Sequence, residues 1–265
     1  MSDMSGRLVC WWSAGAASAC AAALALRAWD GPKVVAYCAS VEKSEHPDNA
    51  RMLADCERWY GQSIERLYSD KYTDTWDVWA RTRWLVGPAG ARCTTELKKL
   101  VRRAFQQDGD TQVFGFTAEE VDRAANFEAN NPEVSCWFPL IERGLRHDDC
   151  EALLSAQQIA LPAMYLLGYR NNNCIGCVKG GAGYWNKIRV DFPAVFSRMA
   201  ALERELDVSI LRRVVAGQHE RLFLDRLPPT MGRYKSEPAV ECGVACEAAR
   251  VEVGGGKLLE VSDGE

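Results

Sequence analysis

Cys174 and Cys177 stand two residues apart in the run Gly168-Tyr169-Arg170-Asn171-Asn172-Asn173-Cys174-Ile175-Gly176-Cys177-Val178-Lys179-Gly180-Gly181-Ala182-Gly183-Tyr184-Trp185. That spacing lets two thiolates reach one metal, because Ile175-Gly176 allows the backbone to fold back with its N–H groups toward the sulfurs. Such a knuckle needs partners. Cys93 lies in Arg92-Cys93-Thr94-Thr95-Glu96-Leu97-Lys98, where Thr94 or Thr95 reads as a helix cap and the helix dipole would favour a thiolate. Cys242 and Cys246 lie in Glu241-Cys242-Gly243-Val244-Ala245-Cys246. The expectation is that these distant segments converge on the knuckle to build a metal or iron–sulfur site. Cys20, Cys38 and Cys56 sit in apolar or helical patterns and read as inert packing.

A second constellation opens the chain. Leu8-Val9-Cys10-Trp11-Trp12 suits a strand buried on both faces. Ser13-Ala14-Gly15-Ala16-Ala17-Ser18 then turns into a helix over Ala19 to Trp29, broken at Asp30-Gly31-Pro32. A strand, a turn of small residues and a helix leave free N–H groups and the positive end of a dipole around a phosphate-sized hole. Val34–Cys38 reads as a second strand, followed by the polar loop Glu45-His46-Pro47-Asp48-Asn49; His46 is expected on the ligand side, because open α/β sheets bind at their carboxyl edge. Arg123, one turn into the helix after Thr117-Ala118-Glu119-Glu120, is expected to face the same edge and meet a phosphate or sulfate.

The elements that must position these groups follow in order. A helix is expected over Asn49 to Tyr60, strands over Ser63–Tyr68 and Gln112–Phe116, a strand-like run at Trp137–Leu140, a helix over Asp148–Gln158, and a helical pattern from Phe192 through Leu211. Trp76, Trp79 and Trp84, at near-helical spacing, read as core packing. The basic run Lys98-Lys99-Leu100-Val101-Arg102-Arg103 reads as a solvated helix face that could dock a small RNA or a phosphate.

With 265 residues, 48% of them hydrophobic, and a net charge of −4, the chain is a globular protein with one large domain or one domain and an extension, and not a protein that coats nucleic acid. Eleven cysteines, an odd number without the density of a small secreted scaffold, suggest a reduced cytoplasmic protein. The apolar stretch Leu8 to Leu26 is broken by Trp11-Trp12-Ser13-Ala14-Gly15 and followed by Arg27, so neither a secretion signal nor a membrane partner is expected.

Taken together, the βα start, Cys93 before a Thr-x-x-Leu-Lys helix, Cys174-x-x-Cys177 about eighty residues later, and Glu241-Cys242-Gly243 resemble the phosphoadenosine phosphosulfate reductase family of the adenine-nucleotide α-hydrolase (PP-loop) superfamily. The resemblance covers roughly Leu8 to Met199 and the terminal motif. It implies an α/β fold with an open, mainly parallel, five-stranded sheet and helices on both faces, over residues 1–200 with the knuckle. Residues 201–265 would then be a C-terminal helix and a cysteine-containing tail. It implies an adenine nucleotide, ATP or adenylyl sulfate, at Ser13, Ala14, Gly15, Ala16, Ala17 and Ser18, with His46 and Arg123 nearby. It implies a 4Fe–4S cluster, with zinc as the alternative, on Cys93, Cys174, Cys177 and Cys246, and Cys242 as nucleophile; either of the last two could exchange roles. The superfamily loop is usually Ser-Gly-Gly-x-Asp-Ser, and the acidic residue tied to pyrophosphate release is missing here. Cluster-bearing members have Cys-Cys where this chain has Arg92-Cys93, and Val244-Ala245-Cys246 replaces the reductases' Leu-His. The implied activity is a reductase drawing on an electron donor, or an iron–sulfur sulfurtransferase similar to tRNA thiolases with tRNA as partner, in either case as a possible homodimer. A zinc-stabilised or degenerate nucleotide-binding module is the non-catalytic alternative.

Overall fold

The alternation of β1 (Leu8–Trp12) sets the architecture: its five residues are all buried, with Leu8, Cys10 and Trp12 packed in one apolar cluster and Val9 and Trp11 in another. A strand with two buried faces belongs in the middle of a sheet covered on both sides. The computed structural model describes residues 6–87, 90–215, 217–240 and Cys242. In it β1 is central, flanked by β2 (Lys33–Cys38) and then β3 (Ile64–Leu67). After a two-residue ladder, β4 (Val86–Gly87) with β5 (Gly90–Ala91), the other flank is β6 (Thr111–Val113) and β7 (Ser135–Trp137). The five-stranded sheet, ordered β3-β2-β1-β6-β7, is parallel throughout.

On the larger face lie α1 (Ala16–Ala28) and α2 (Asn49–Tyr60), with α3 (Thr75–Thr82) beyond the sheet edge. The opposite face is covered by α5 (Leu100–Phe105), reached from α4 (Arg92–Thr94) through a π turn (Thr95–Lys99), and by α6 (Val121–Asn130). The chain returns through α7 (Pro139–Glu142), α8 (His147–Ala156) and α9 (Ala163–Leu166) to the large face. There α10 (Ala182–Asp191) buries Trp185 completely, and truncating a side chain of that size costs about 3–5 kcal/mol. No helix among the described residues is long and apolar enough to cross a membrane.

Several expectations shift. The fourth strand stops at Val113, so Phe114-Gly115-Phe116 leaves the ladder, and Trp137–Leu140 contributes only Trp137 to a strand because Pro139 starts α7. The expected helix from Phe192 through Leu211 is α11 (Pro193–Leu206), which begins at Pro193, a residue without an N–H to continue α10, and ends before Leu211. Asp207, with φ +52°, ends α11, and the chain then forms an exposed hairpin, β8 (Leu211–Val215) with β9 (Gln218–Leu222), in place of a helical extension. Trp79 is buried and Trp76 packs beside it, whereas Trp84 is 38% exposed and is not core.

The basic run is not a solvated helix face. Lys98, Lys99 and Arg102 are buried and Leu100 is 40% exposed, the inverse of the expected pattern. The π turn adds a residue per turn across Thr95–Lys99 and rotates the lysines inward. Arg102 reaches the Gln106 and Gln112 amide oxygens at 3.2 and 3.4 Å and lies over the Phe127 ring.

Glu203 ties α11 to the hairpin. Its Oε1 accepts the Ile210 N–H and its Oε2 the Leu224 N–H, each at 2.6 Å, and burial pushes the carboxyl up to about 7. A raised carboxyl binds more protons folded than unfolded, so its contribution is complete below the ordinary value of 4.5 and is lost as pH rises through about 7. Wild-type protein should therefore lose thermal stability between these values, and Glu203→Gln should flatten that slope; an unchanged slope in the variant would refute the assignment.

Candidate active site

All five strands point their carboxyl ends at one edge, and the order reverses direction at β1, between β2 and β6. Ligands of open α/β sheets bind at such a switch point. A cavity of about 180 Å³ opens there. Its rim includes Ser13, Gly15, Ala17 and Ser18 of the β1–α1 turn, Phe114 to Phe116 beyond β6, Arg123, and Asn171 to Asn173 ahead of the knuckle. Glu45, Lys98 and Cys242 form its inner wall.

The turn is braced by its own serines. Ser18 Oγ receives the Ser13 N–H at 3.1 Å and donates to the Gly15 carbonyl at 3.0 Å, which leaves the start of α1 open toward the cavity. Ala14 holds φ +58°, unusual for a residue with a side chain, and its carbonyl accepts the Asn172 Nδ2 at 2.8 Å. Ala14 and Ala16 are buried beneath the rim, so four of the six expected turn residues face the cavity. Gly115 is required for this approach: a Cβ there would stand 2.6 Å from the Ser18 backbone. Arg123 lines the cavity, pairs with Glu120 and lies over the Phe116 ring.

His46 does not belong to the site. Its Nδ1 accepts the Asp48 N–H at 3.1 Å, its ring meets Phe192 edge-on, and it does not line the cavity. The loop contributes Glu45 instead, a residue read only as part of a polar stretch. Glu45 Oε2 accepts the Tyr37 hydroxyl at 2.7 Å and the Asn49 amide at 2.9 Å. Desolvation raises its carboxyl above the ordinary range, and Lys98 opposes that rise.

The knuckle turns at Gly176, with φ +75°. The Gly176 and Cys177 N–H groups donate to the Tyr184 hydroxyl at 3.1 and 2.9 Å, not to the sulfurs as expected; the Lys179 N–H is the one that serves the Cys177 sulfur. Ile175 N–H donates to the Ser44 carbonyl at 2.7 Å and so docks the knuckle beside the Glu45 loop.

Cys93, Cys174, Cys177 and Cys242 come together although they are far apart in sequence. Cys242 Sγ lies 3.6 Å from Thr94 Oγ1 and 3.7 Å from Lys98 Nζ, and the Cys177 thiol donates to it. That bond, followed by Lys98 and Lys179 against the cost of burial, holds the Cys242 thiol well below its ordinary value. Burial pushes Cys93 up to about 12, with Cys242 adding to the rise, and also raises Cys174. Cys20, Cys38 and Cys56 are buried in packing, as expected. Cys246 lies outside the described residues.

The C-terminal segment is strapped onto the knuckle. Glu237 caps α10, accepting the Gly183 and Tyr184 N–H groups at 2.6 and 2.9 Å. Arg170 donates to the Lys235 and Glu237 carbonyls, and the Asn171 and Asn173 amides donate to the Val240 carbonyl at 2.7 and 2.6 Å. These bonds aim Cys242 inward.

Four converging thiols beside two lysines have the donor type and the compensating charge that a thiolate-bound cluster needs. They are not arranged as a mononuclear site: among the described residues no three His, Cys, Asp or Glu side chains are placed to hold one metal ion. The chain matches no protein-family model, no curated protein and no solved structure.

Proposed function

We propose that the protein is an enzyme of sulfur chemistry that binds an adenine nucleotide and acts through Cys242. The observation that carries this reading is that one cavity has the Cys242 sulfur, set against Lys98 and Thr94, on its inner wall and the open start of α1 on its rim. A helix start favours a phosphate, and a thiolate beside an ammonium is a nucleophile.

On an adenylyl sulfate the Cys242 thiolate would attack the sulfur, forming an S–S bond while the S–O bond to the phosphate breaks and the nucleotide leaves. An external dithiol would then reduce the enzyme-bound sulfonate and release sulfite. This is the reductase version of the resemblance to phosphoadenosine phosphosulfate reductases. It is favoured over tRNA thiolation because the basic run that would hold RNA is buried. Cys93, Cys174 and Cys177 are the residues that would hold an iron–sulfur cluster, which when bound would supply an electron relay beside Cys242.

Two measurements test the proposal. Anaerobically purified protein should carry iron and sulfide and absorb broadly near ~400 nm, whereas stoichiometric zinc without iron would remove the cluster. In Gly15→Leu the side chain would extend toward Tyr165, Ser13 and Ser18 and fill the cradle. That variant should fold and lose nucleotide binding; retained binding would place the phosphate elsewhere.

A further inference from the structure

Two polar groups that reach the start of α1 come from the segment leading into the knuckle, not from the turn itself. The first is the Tyr165 hydroxyl, 3.5 Å from where a Cβ on Gly15 would stand. The N–H groups of Ala16 and Asn172 face its oxygen. A phenol oxygen faced by two N–H groups turns its own O–H away from both. Tyr165 lines the cavity, and the described hydrogen bonds give that proton no acceptor. Burial pushes the phenol up to about 12, so it stays a donor at neutral pH.

The second is the Asn172 amide. Its Nδ2 donates to the Ala14 carbonyl at 2.8 Å and to Asn49 Oδ1 at 2.7 Å, which fixes its orientation. Asn172 is 5% exposed and lines the cavity, and its Oδ1 is buried with no partner. A buried acceptor left unmet is costly, and at the wall of a cavity it marks where a ligand donor fits.

We infer that Tyr165 and Asn172 read the ligand as a pair, the phenol donating to an oxyanion oxygen and the amide oxygen accepting from a hydroxyl of the same molecule. This rests on the nucleotide reading above and narrows it: the site takes a nucleoside 5′-phosphate or phosphosulfate that keeps a free ribose hydroxyl. Inorganic phosphate or sulfate in its fully ionised form satisfies Tyr165 and offers Asn172 no proton.

The test titrates the full-length protein with adenosine 5′-phosphate, its 2′-deoxy and 3′-deoxy forms, adenosine, and inorganic phosphate. Tyr165→Phe and Gly15→Leu are titrated alongside, with folding checked by circular dichroism. One deoxy form should bind the wild type roughly tenfold or more weaker than the parent nucleotide, because a site built around a hydroxyl rejects the analogue without it. Tyr165→Phe should lose about tenfold for the nucleotide and nothing for adenosine. If Tyr165→Phe does not fold, the deoxy comparison on wild type decides. Equal binding of both deoxy forms, or undiminished nucleotide binding by folded Tyr165→Phe, overturns the inference while Gly15→Leu still loses the nucleotide. Failure of the wild type to bind the nucleotide, or binding by Gly15→Leu equal to wild type, overturns the nucleotide reading itself.

Discussion

Serine in place of Cys242 is expected to abolish turnover while leaving the fold intact. A hydroxyl is almost fully protonated at neutral pH and is a far poorer nucleophile than a thiolate, so the loss should reach about 10³-fold or more. The substitution removes little volume, and the strap through Glu237, Arg170, Asn171 and Asn173 does not depend on the sulfur. Alkylation supplies a readout that needs no substrate. Wild-type protein should present one thiol that reacts fast at pH values well below the ordinary thiol value of 9.0, and Cys242→Ser should lack it. If the fast thiol persists, the reactive sulfur is another cysteine. If cluster content falls together with activity, Cys242 is a ligand and not the nucleophile.

Methionine at Lys98 should have the next largest effect. The Lys98 ammonium is 3.7 Å from Cys242 Sγ, and an ion pair at that distance near a protein surface is worth about 4 kcal/mol at an effective dielectric of ~20. Without it the Cys242 thiol should return toward its ordinary value of 9.0, moving the pH midpoint of alkylation upward and slowing turnover at neutral pH. The sign for stability follows from the lowered thiol. Its contribution is complete above 9.0 and is lost as pH falls through the lower folded value, so Lys98→Met should lose more stability at alkaline than at acid pH. An unmoved alkylation midpoint would mean that Lys98 does not set the state of Cys242.

Features carried by a few adjacent residues were readable. Leu8–Trp12 is an apolar run that only a doubly covered strand buries, and the small residues after it leave nothing to fill the cradle. The knuckle was readable because two cysteines around a glycine form a local device, and Cys93 because it falls in the first turn of a helix, although Ala91 stands at the cap and not Thr94 or Thr95 as expected. His46 was misplaced because a position at a sheet edge does not say where a side chain turns, and here the ring takes a local N–H. The segment after Leu206 was read as further helix because Asp207 gave no sign of the left-handed backbone that ends α11.

By itself, then, the sequence determined the open α/β sheet, the turn of small residues after its first strand, and the close spacing of the knuckle cysteines. All of these follow from backbone sterics and from the alternation of apolar side chains over short distances. Tertiary structure decided the rest. The direction of Lys98 depends on a π turn that reverses the faces of its helix. The seating of Cys242 depends on a strap held by residues about 70 positions upstream, Asn171 and Asn173 among them. The placement of Glu45, Tyr165 and Asn172 in the cavity depends on two separate segments, the loop after β2 and the approach to the knuckle, docking at one sheet edge. Desolvation and charge pairing act through space, and neither has a signature in the order of the residues.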